Sequence, residues 1–270
     1  MKIQFIGYVA IMGAALLQGC SCNKNENAAE TVTKQNVEEN VREFVYPLPT
    51  AYETTEMLNR IEAPYIQGLC NDFENSESYM TEYKRALNLG VYSADMCYAS
   101  TYNQQQTVMD CMDVIKKLID NLDMTNGVDP ELPGKLENSE NNKDEITNLI
   151  TESFYDSYDY LNKNDRGPVS ILIVAGSWIE ALYVTTHISD NTFDNKEMVK
   201  IVMTQRDPLN KLMEILAQKF ADNEYAKSIA SSLEPLHQIY NSVTDGGISE
   251  SQIESIKSNV ESLRNEIVAK

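Results

Sequence analysis

The chain has 270 residues, with 41 acidic against 22 basic side chains and a formal net charge of −19. This excess of negative charge argues against nucleic acid as a partner, because binding to phosphates depends on clustered Lys and Arg. It also disfavours adsorption to anionic lipid, so attachment to a membrane would need a covalent or hydrophobic anchor.

The first twenty residues, MKIQFIGYVAIMGAALLQGC, have the layout of an export signal: one Lys, an apolar stretch, and small residues before a cysteine. Their end, Leu17-Gln18-Gly19-Cys20, resembles the lipobox of bacterial lipoproteins, where a signal peptidase cuts before a cysteine that is then acylated. The resemblance implies a signal peptide over residues 1–19 and palmitate or related acyl chains on Cys20. The alternative is an ordinary signal peptide followed by a chance cysteine.

This resemblance sets the expected location. Ser21 after Cys20 does not resemble an inner-membrane retention signal, so we expect the bacterial cell envelope, at the outer membrane, in either leaflet. Residues 20–45 are polar and hold few large apolar side chains, which predicts a flexible tether. A tether of this length would hold the domain about 25–30 Å from the membrane on average.

Four further cysteines follow Cys20, namely Cys22, Cys70, Cys97 and Cys111, and none forms a CxxC pair. Their spacing matches neither a metal site nor a known disulfide framework. We expect Cys97 and Cys111 to lie on one helix, about 21 Å apart and unable to bond to each other. Buried thiols are the simplest interpretation, and a bridge from Cys70 to Cys97 or Cys111 stays open.

Helical periodicity dominates the sequence after residue 50 and no strand pattern is convincing, so we predict an all-α fold. The prediction is an irregular multi-helix bundle of about seven or eight helices, in one domain over residues 46–270 behind the flexible N-terminal tether. A Pro/Gly/Asn-rich acidic loop at 123–144 marks a boundary between two helical halves. One helix is expected to end at Gly90, and another to run from Ala94 to Leu122 along a regular apolar seam.

The stretch from Pro168 to Ile188, PVSILIVAGSWIEALYVTTHI, is long enough to span a bilayer. Glu180 lies near its middle, where a charge opposes membrane insertion, and the helices around it in sequence need an apolar partner. We therefore expect it to be the central core helix.

A polar stripe runs along this helix, because Gly176, Glu180, Tyr183 and His187 fall within one narrow arc. Gln104 belongs to the other long seam and is a candidate to face it. Gln104, Glu180, Tyr183 and His187 thus form a candidate polar pocket. The alternatives are a solvated bundle edge and a buried structural network.

Signatures of catalysis, metal binding and cofactor binding are absent from the sequence, which holds two histidines in all. We therefore assign no catalytic residue, no metal and no cofactor. A lipid-anchored helical binding or scaffolding module is the favoured function, with a protein or small molecule as partner and Tyr-rich faces at Tyr155, Tyr158 and Tyr160. The alternative is a hydrolase-type envelope enzyme that uses carboxylates such as Asp95 and Glu180, which requires both in one concave pocket.

Two similarities add to these observations. The segment YPLPTAYETTEMLNRIEAPYI resembles the start of an uncharacterised family of helical bacterial lipoproteins, which implies a recurring domain and transfers no functional residue. Within the chain, the stretches that begin at Gly90 and Gly176 look faintly alike. That likeness fits an old duplication of a helical hairpin and also fits a chance match.

Overall fold

The computed structural model describes residues 51–139, 142–189 and 191–270. The predicted signal peptide, the lipobox and the whole predicted tether lie outside these ranges. The described residues form ten α-helices and no strand beyond one isolated bridge, which confirms the all-α class, although seven or eight helices were expected. The helices are α1 (Ala51–Arg60), α2 (Glu82–Thr101), α3 (Gln105–Asn121), α4 (Leu132–Asn138), α5 (Lys143–Lys163), α6 (Gly167–His187), α7 (Lys196–Thr204), α8 (Arg206–Lys219), α9 (Glu224–Asn241) and α10 (Glu250–Val268).

Helix α6 lies at the centre of the bundle, as the sequence predicted. Pro168 sits in its first turn, where the fixed backbone of proline suits the start of a helix. Its side chains are buried except those of Pro168, Ser177, Tyr183 and His187. It is the one helix in the described ranges long and apolar enough to cross a membrane, and 89% of its apolar window is buried inside the fold. A helix buried on nearly every side needs neighbours all round, and α2 and α10 are two of them.

Helices α2 and α6 cross in backbone contact at two glycines. A Cβ atom on Gly90 would lie 2.0 Å from the carbonyl oxygen of Ile173, and one on Gly176 would lie 2.0 Å from that of Leu87. Each glycine therefore meets the carbonyl three residues before the other glycine. No larger residue permits this approach.

The expected helix end at Gly90 is wrong. Thr81 caps the start of α2 by accepting a hydrogen bond from the Lys84 backbone N–H, and the helix runs through Gly90 to Thr101. Glycine is common both after a helix and at a close helix crossing. Gly90 serves the second purpose.

The expected continuous helix from Ala94 to Leu122 is also wrong. The chain turns between α2 and α3, where Asn103 has a φ of 57° and the Gln104 N–H donates to the carbonyl of Ala99. Asn tolerates this left-handed conformation better than most residues. The apolar spacing continues across the turn, which hid the break in the sequence.

The segment expected as a loop at 123–144 contains regular structure. It holds a short 3₁₀ turn, Thr125–Gly127, and helix α4. The turn lies against α5, because a Cβ on Gly127 would meet the Tyr160 ring at 2.6 Å.

Candidate functional site

Glu180 is fully buried in α6 and is held by Arg264 from α10. The Arg264 Nε donates to Glu180 Oε2 at 3.0 Å, and Nη2 donates to Oε1 at 3.1 Å. Arg264 is itself buried, with 9% of its surface exposed. A buried carboxylate without a partner costs several kcal/mol, so any packing of α10 on α6 that separates Arg264 from Glu180 is strongly disfavoured. The two-point ion pair therefore fixes the position of α10 on α6.

Asp95 from α2 is a second fully buried carboxyl group, within hydrogen-bonding reach of Glu180. Its Oδ2 accepts the backbone N–H of Asn71 at 2.9 Å, while Oδ1 has no donor among the described residues. Burial, and next the Glu180 charge, raise the pKa of Asp95 well above its ordinary value. Burial also raises the pKa of Glu180, but Arg264 opposes that change.

One proton therefore satisfies both carboxyl groups. Glu180 has a guanidinium partner and Asp95 has a single backbone N–H, so the proton stays on Asp95. A proton on Asp95 can donate to Glu180, which lies within hydrogen-bonding reach. The three side chains then carry one positive and one negative charge. We call Asp95, Glu180 and Arg264 the carboxyl network.

Tyr183 and His187 extend the carboxyl network along α6. The Arg264 guanidinium lies 4.6 Å from the centre of the Tyr183 ring, and the His187 ring stacks on Tyr183 at 4.1 Å. His187 Nδ1 is 2.8 Å from the Tyr183 carbonyl oxygen, which can only accept, so Nδ1 carries the hydrogen. Burial lowers the pKa of His187, so the ring is neutral at pH 7.

Gln104 does not join these residues. It lies at the start of α3, where its Nε2 donates to the carbonyl of Tyr102 at 2.9 Å, and no hydrogen bond within the described ranges links it to Glu180. Thr101, the other polar residue of that seam, pairs with Thr55 at 3.0 Å. The turn between α2 and α3 removes Gln104 from the seam, and the groups opposite Glu180 are Asp95 and Arg264.

The hydrolase hypothesis requires two carboxylates that lie close together and that face a concave pocket. The carboxyl network meets the first requirement and not the second. Asp95 and Glu180 are adjacent, but each has 0% of its surface exposed. A carboxylate that acts as acid, base or nucleophile must reach substrate or water. The arrangement suits a group that holds three helices together.

The three cysteines of the described ranges are free thiols. Cys97 lies on α2 and Cys111 on α3, so the expectation that they share one helix is wrong, although no bond joins them. Burial, and next the nearby Asp95, raise the pKa of Cys97 to about 12. A thiol with so high a pKa is a poor nucleophile at neutral pH.

A cavity of about 130 Å³ lies between α2, α3, α5 and α6. Its walls are mainly large apolar and aromatic side chains. Examples from the four helices are Leu89, Ile119, Phe154, Tyr158, Ile173 and Trp178.

The cavity lining contains no Asp, Glu, Lys, Arg or His. Its polar groups are mostly hydroxyls, including those of Ser93, Ser157 and Ser177. Ser93 donates to the carbonyl of Leu89 at 2.7 Å, whereas Ser177 has no hydrogen-bond partner among the described residues. The indole N–H of Trp178, also in the wall, is buried and unpaired in the same part of the chain.

Sequence reasoning missed Arg264 and the cavity. A signal for Arg264 existed, because it lies four residues after Val260 and three before Ile267, on the apolar seam of α10. The cavity had no comparable signal, since its lining comes from separate helices. Tyr158, on the Tyr-rich helix considered as a binding face, does line it.

Within the described ranges, no group of three or more His, Cys, Asp or Glu side chains could hold a metal ion. Comparison of the chain with protein-family models, with curated proteins and with solved structures found no match.

Proposed function

We propose that this protein is a lipid-anchored binding module of the bacterial envelope, and that its ligand site is the cavity between α2, α3, α5 and α6. The observation that carries the proposal is an apolar cavity whose lining has no charged group. Sites for small molecules are typically concave, mostly apolar and furnished with a few polar groups. The hydroxyls of the lining supply those polar groups.

The resemblance of Leu17-Gln18-Gly19-Cys20 to a lipobox supports the anchor. Two or three acyl chains on Cys20 would hold the protein at a membrane far more firmly than one chain. A Cys20→Ser variant should therefore move from the membrane fraction to the soluble fraction. A variant that stays in the membrane fraction contradicts the anchor and leaves the cavity proposal unaffected.

The cavity can be tested through Trp178, because it is the only tryptophan in the chain and it lines the cavity. Bromobenzene is a neutral apolar probe whose heavy atom quenches nearby indole fluorescence. We expect quenching that saturates as bromobenzene is added. A Ser177→Leu variant fills the cavity and should lose the saturable part while keeping its helical circular dichroism.

The matched control is Ser231→Leu, which makes the same change at an exposed position of α9. This variant should keep the saturable quenching. Linear quenching of equal slope in the wild type and in Ser177→Leu would contradict a binding site in the cavity.

A further inference from the structure

The cavity has a composition that selects one class of ligand. We infer that it takes a neutral molecule about the size of one substituted aromatic ring, carrying a hydroxyl group or another group that both donates and accepts a hydrogen bond. This inference rests on the proposed function and names the ligand class of the same site.

Charge is the first criterion. The cavity is lined by 22 residues and none of them is acidic, basic or histidine, although the chain contains 63 Asp, Glu, Lys and Arg side chains (41 plus 22). The buried charges of the carboxyl network are paired with each other. A carboxylate or ammonium group that entered the cavity would lose its hydration and find no opposite charge. The lining therefore excludes ionised ligands.

Size is the second criterion. The cavity volume of about 130 Å³ is close to that of an engineered protein cavity of about 150 Å³ that binds benzene. Rings line several of its walls, from Phe154 and Tyr158 on α5 to Trp178 on α6. Aromatic side chains favour edge or offset contacts with another ring, so a ring of this size fits both the space and the walls.

Hydrogen bonding is the third criterion. The hydroxyls of Ser93 and Ser157 donate to the carbonyls of Leu89 and Gly127, at 2.7 and 3.4 Å, so their oxygens keep lone pairs that can accept. Ser177 is half-buried, on a helix whose neighbouring side chains are buried, and its hydroxyl has no partner among the described residues. The wall thus offers acceptors together with an unused donor.

A ligand hydroxyl matches this set, because it donates to one serine oxygen and accepts from another. The unpaired indole N–H of Trp178 adds a second donor in the same wall. A purely apolar ligand would leave the Ser177 hydroxyl and the Trp178 indole N–H without a hydrogen bond.

Competition against bromobenzene tests the class, with Trp178 fluorescence as the readout. Three competitors have nearly the same size: p-cresol is neutral with a hydroxyl, toluene is neutral without one, and 4-methylbenzoate is charged. We expect p-cresol to compete about 2- to 10-fold more strongly than toluene, the ratio for one net hydrogen bond. 4-Methylbenzoate should compete at least about 100-fold more weakly, because its charge has no partner in the cavity.

A Ser177→Ala variant removes one hydroxyl without filling the cavity. It should bind toluene as the wild type does and lose most of the preference for p-cresol, whereas the exposed control Ser231→Ala should keep it.

The outcomes separate the two proposals. If toluene competes as strongly as p-cresol or more strongly, the inference that the ligand carries a hydroxyl group is wrong. If 4-methylbenzoate competes about as strongly as p-cresol, the inference that the ligand is neutral is wrong. Saturable bromobenzene quenching that none of the three relieves overturns the ligand class alone. Absence of saturable bromobenzene quenching overturns the proposed function and the ligand class together.

Discussion

The carboxyl network and the cavity both use α2 and α6, yet they contain opposite kinds of side chain. The carboxyl network has charged groups whose hydrogen bonds are made within the protein. The cavity is a gap between side chains, lined by hydroxyls and apolar groups and by no charged residue. In this fold, charge is buried where it joins three helices and is absent where space remains. The contrast gives the first region an architectural role and supports the proposal that the second binds a ligand.

The largest effect should come from Arg264→Met, which leaves the Glu180 carboxylate buried without its cation. Breaking a buried ion pair from one side typically costs about 3–5 kcal/mol, and we expect a loss of that size in the free energy of unfolding by urea. The double variant Glu180→Leu with Arg264→Met should recover at least half of the loss, because no unpaired carboxylate remains beside Asp95. The exposed control Arg60→Met should change stability by less than about 0.5 kcal/mol.

The stability of the Arg264→Met variant tests whether the carboxyl network has an architectural role. A cost below about 1 kcal/mol for Arg264→Met would mean that Glu180 reaches water or another cation, and the carboxyl network would lose its architectural role.

The second effect concerns the crossing that underlies both regions. Gly176→Ala places a Cβ atom 2.0 Å from the Leu87 carbonyl oxygen, a distance that only a shift of α2 from α6 can relieve. We expect a loss of about 3 kcal/mol in the free energy of unfolding, together with weaker bromobenzene binding. Gly134→Ala is the control, because Gly134 is exposed in α4 and its added Cβ would meet nothing within 4 Å. Equal stability of the two variants would show that the helices separate at little cost.

The third effect is a dependence on pH, which is the smallest of the three when counted per pH unit. The Asp of an unfolded chain has a pKa of about 3.9, and burial beside Glu180 raises the pKa of Asp95 well above that value. Between these two values the folded state binds more protons than the unfolded state, so stability falls as the pH rises. It is full below about pH 4 and falls by up to about 1.4 kcal/mol per pH unit until the pH passes the folded pKa.

Asp95→Asn removes this slope and keeps the geometry, since its amide donates to Glu180 and accepts from the Asn71 N–H. Urea unfolding between pH 4.5 and 8 should therefore show the variant gaining on the wild type as the pH rises. Asp245→Asn, at an exposed position, is the matched control. Parallel curves for wild type and Asp95→Asn would contradict a proton held on Asp95.

Sequence reasoning found the features that depend on one helix at a time. The all-α class and the buried position of α6 are confirmed, because hydrophobic periodicity is a local signal. Gly90 was misjudged since glycine marks both helix ends and close crossings, and only the partner helix distinguishes them. Asp95 and Glu180 were named together as candidate carboxylates, but whether they meet depends on that crossing.

The cavity lay beyond sequence reasoning for a different reason. A void arises where side chains from several helices fail to fill the space between them, and no helix alone records that shortfall. Its lining residues therefore look like ordinary core residues in the sequence.

The glycine crossing has the form of a two-fold interface within a single chain. Each partner presents the same pattern, a glycine that meets the carbonyl three positions before its counterpart, followed four or five residues later by a carboxyl group. Such a surface is self-complementary, like the contact between two identical subunits. In a strictly symmetric contact, two identical carboxyl groups facing each other would be equivalent and would share one proton evenly. Here the two groups are an Asp and a Glu, and Arg264 pairs with the Glu alone, which decides which half of the contact carries the charge.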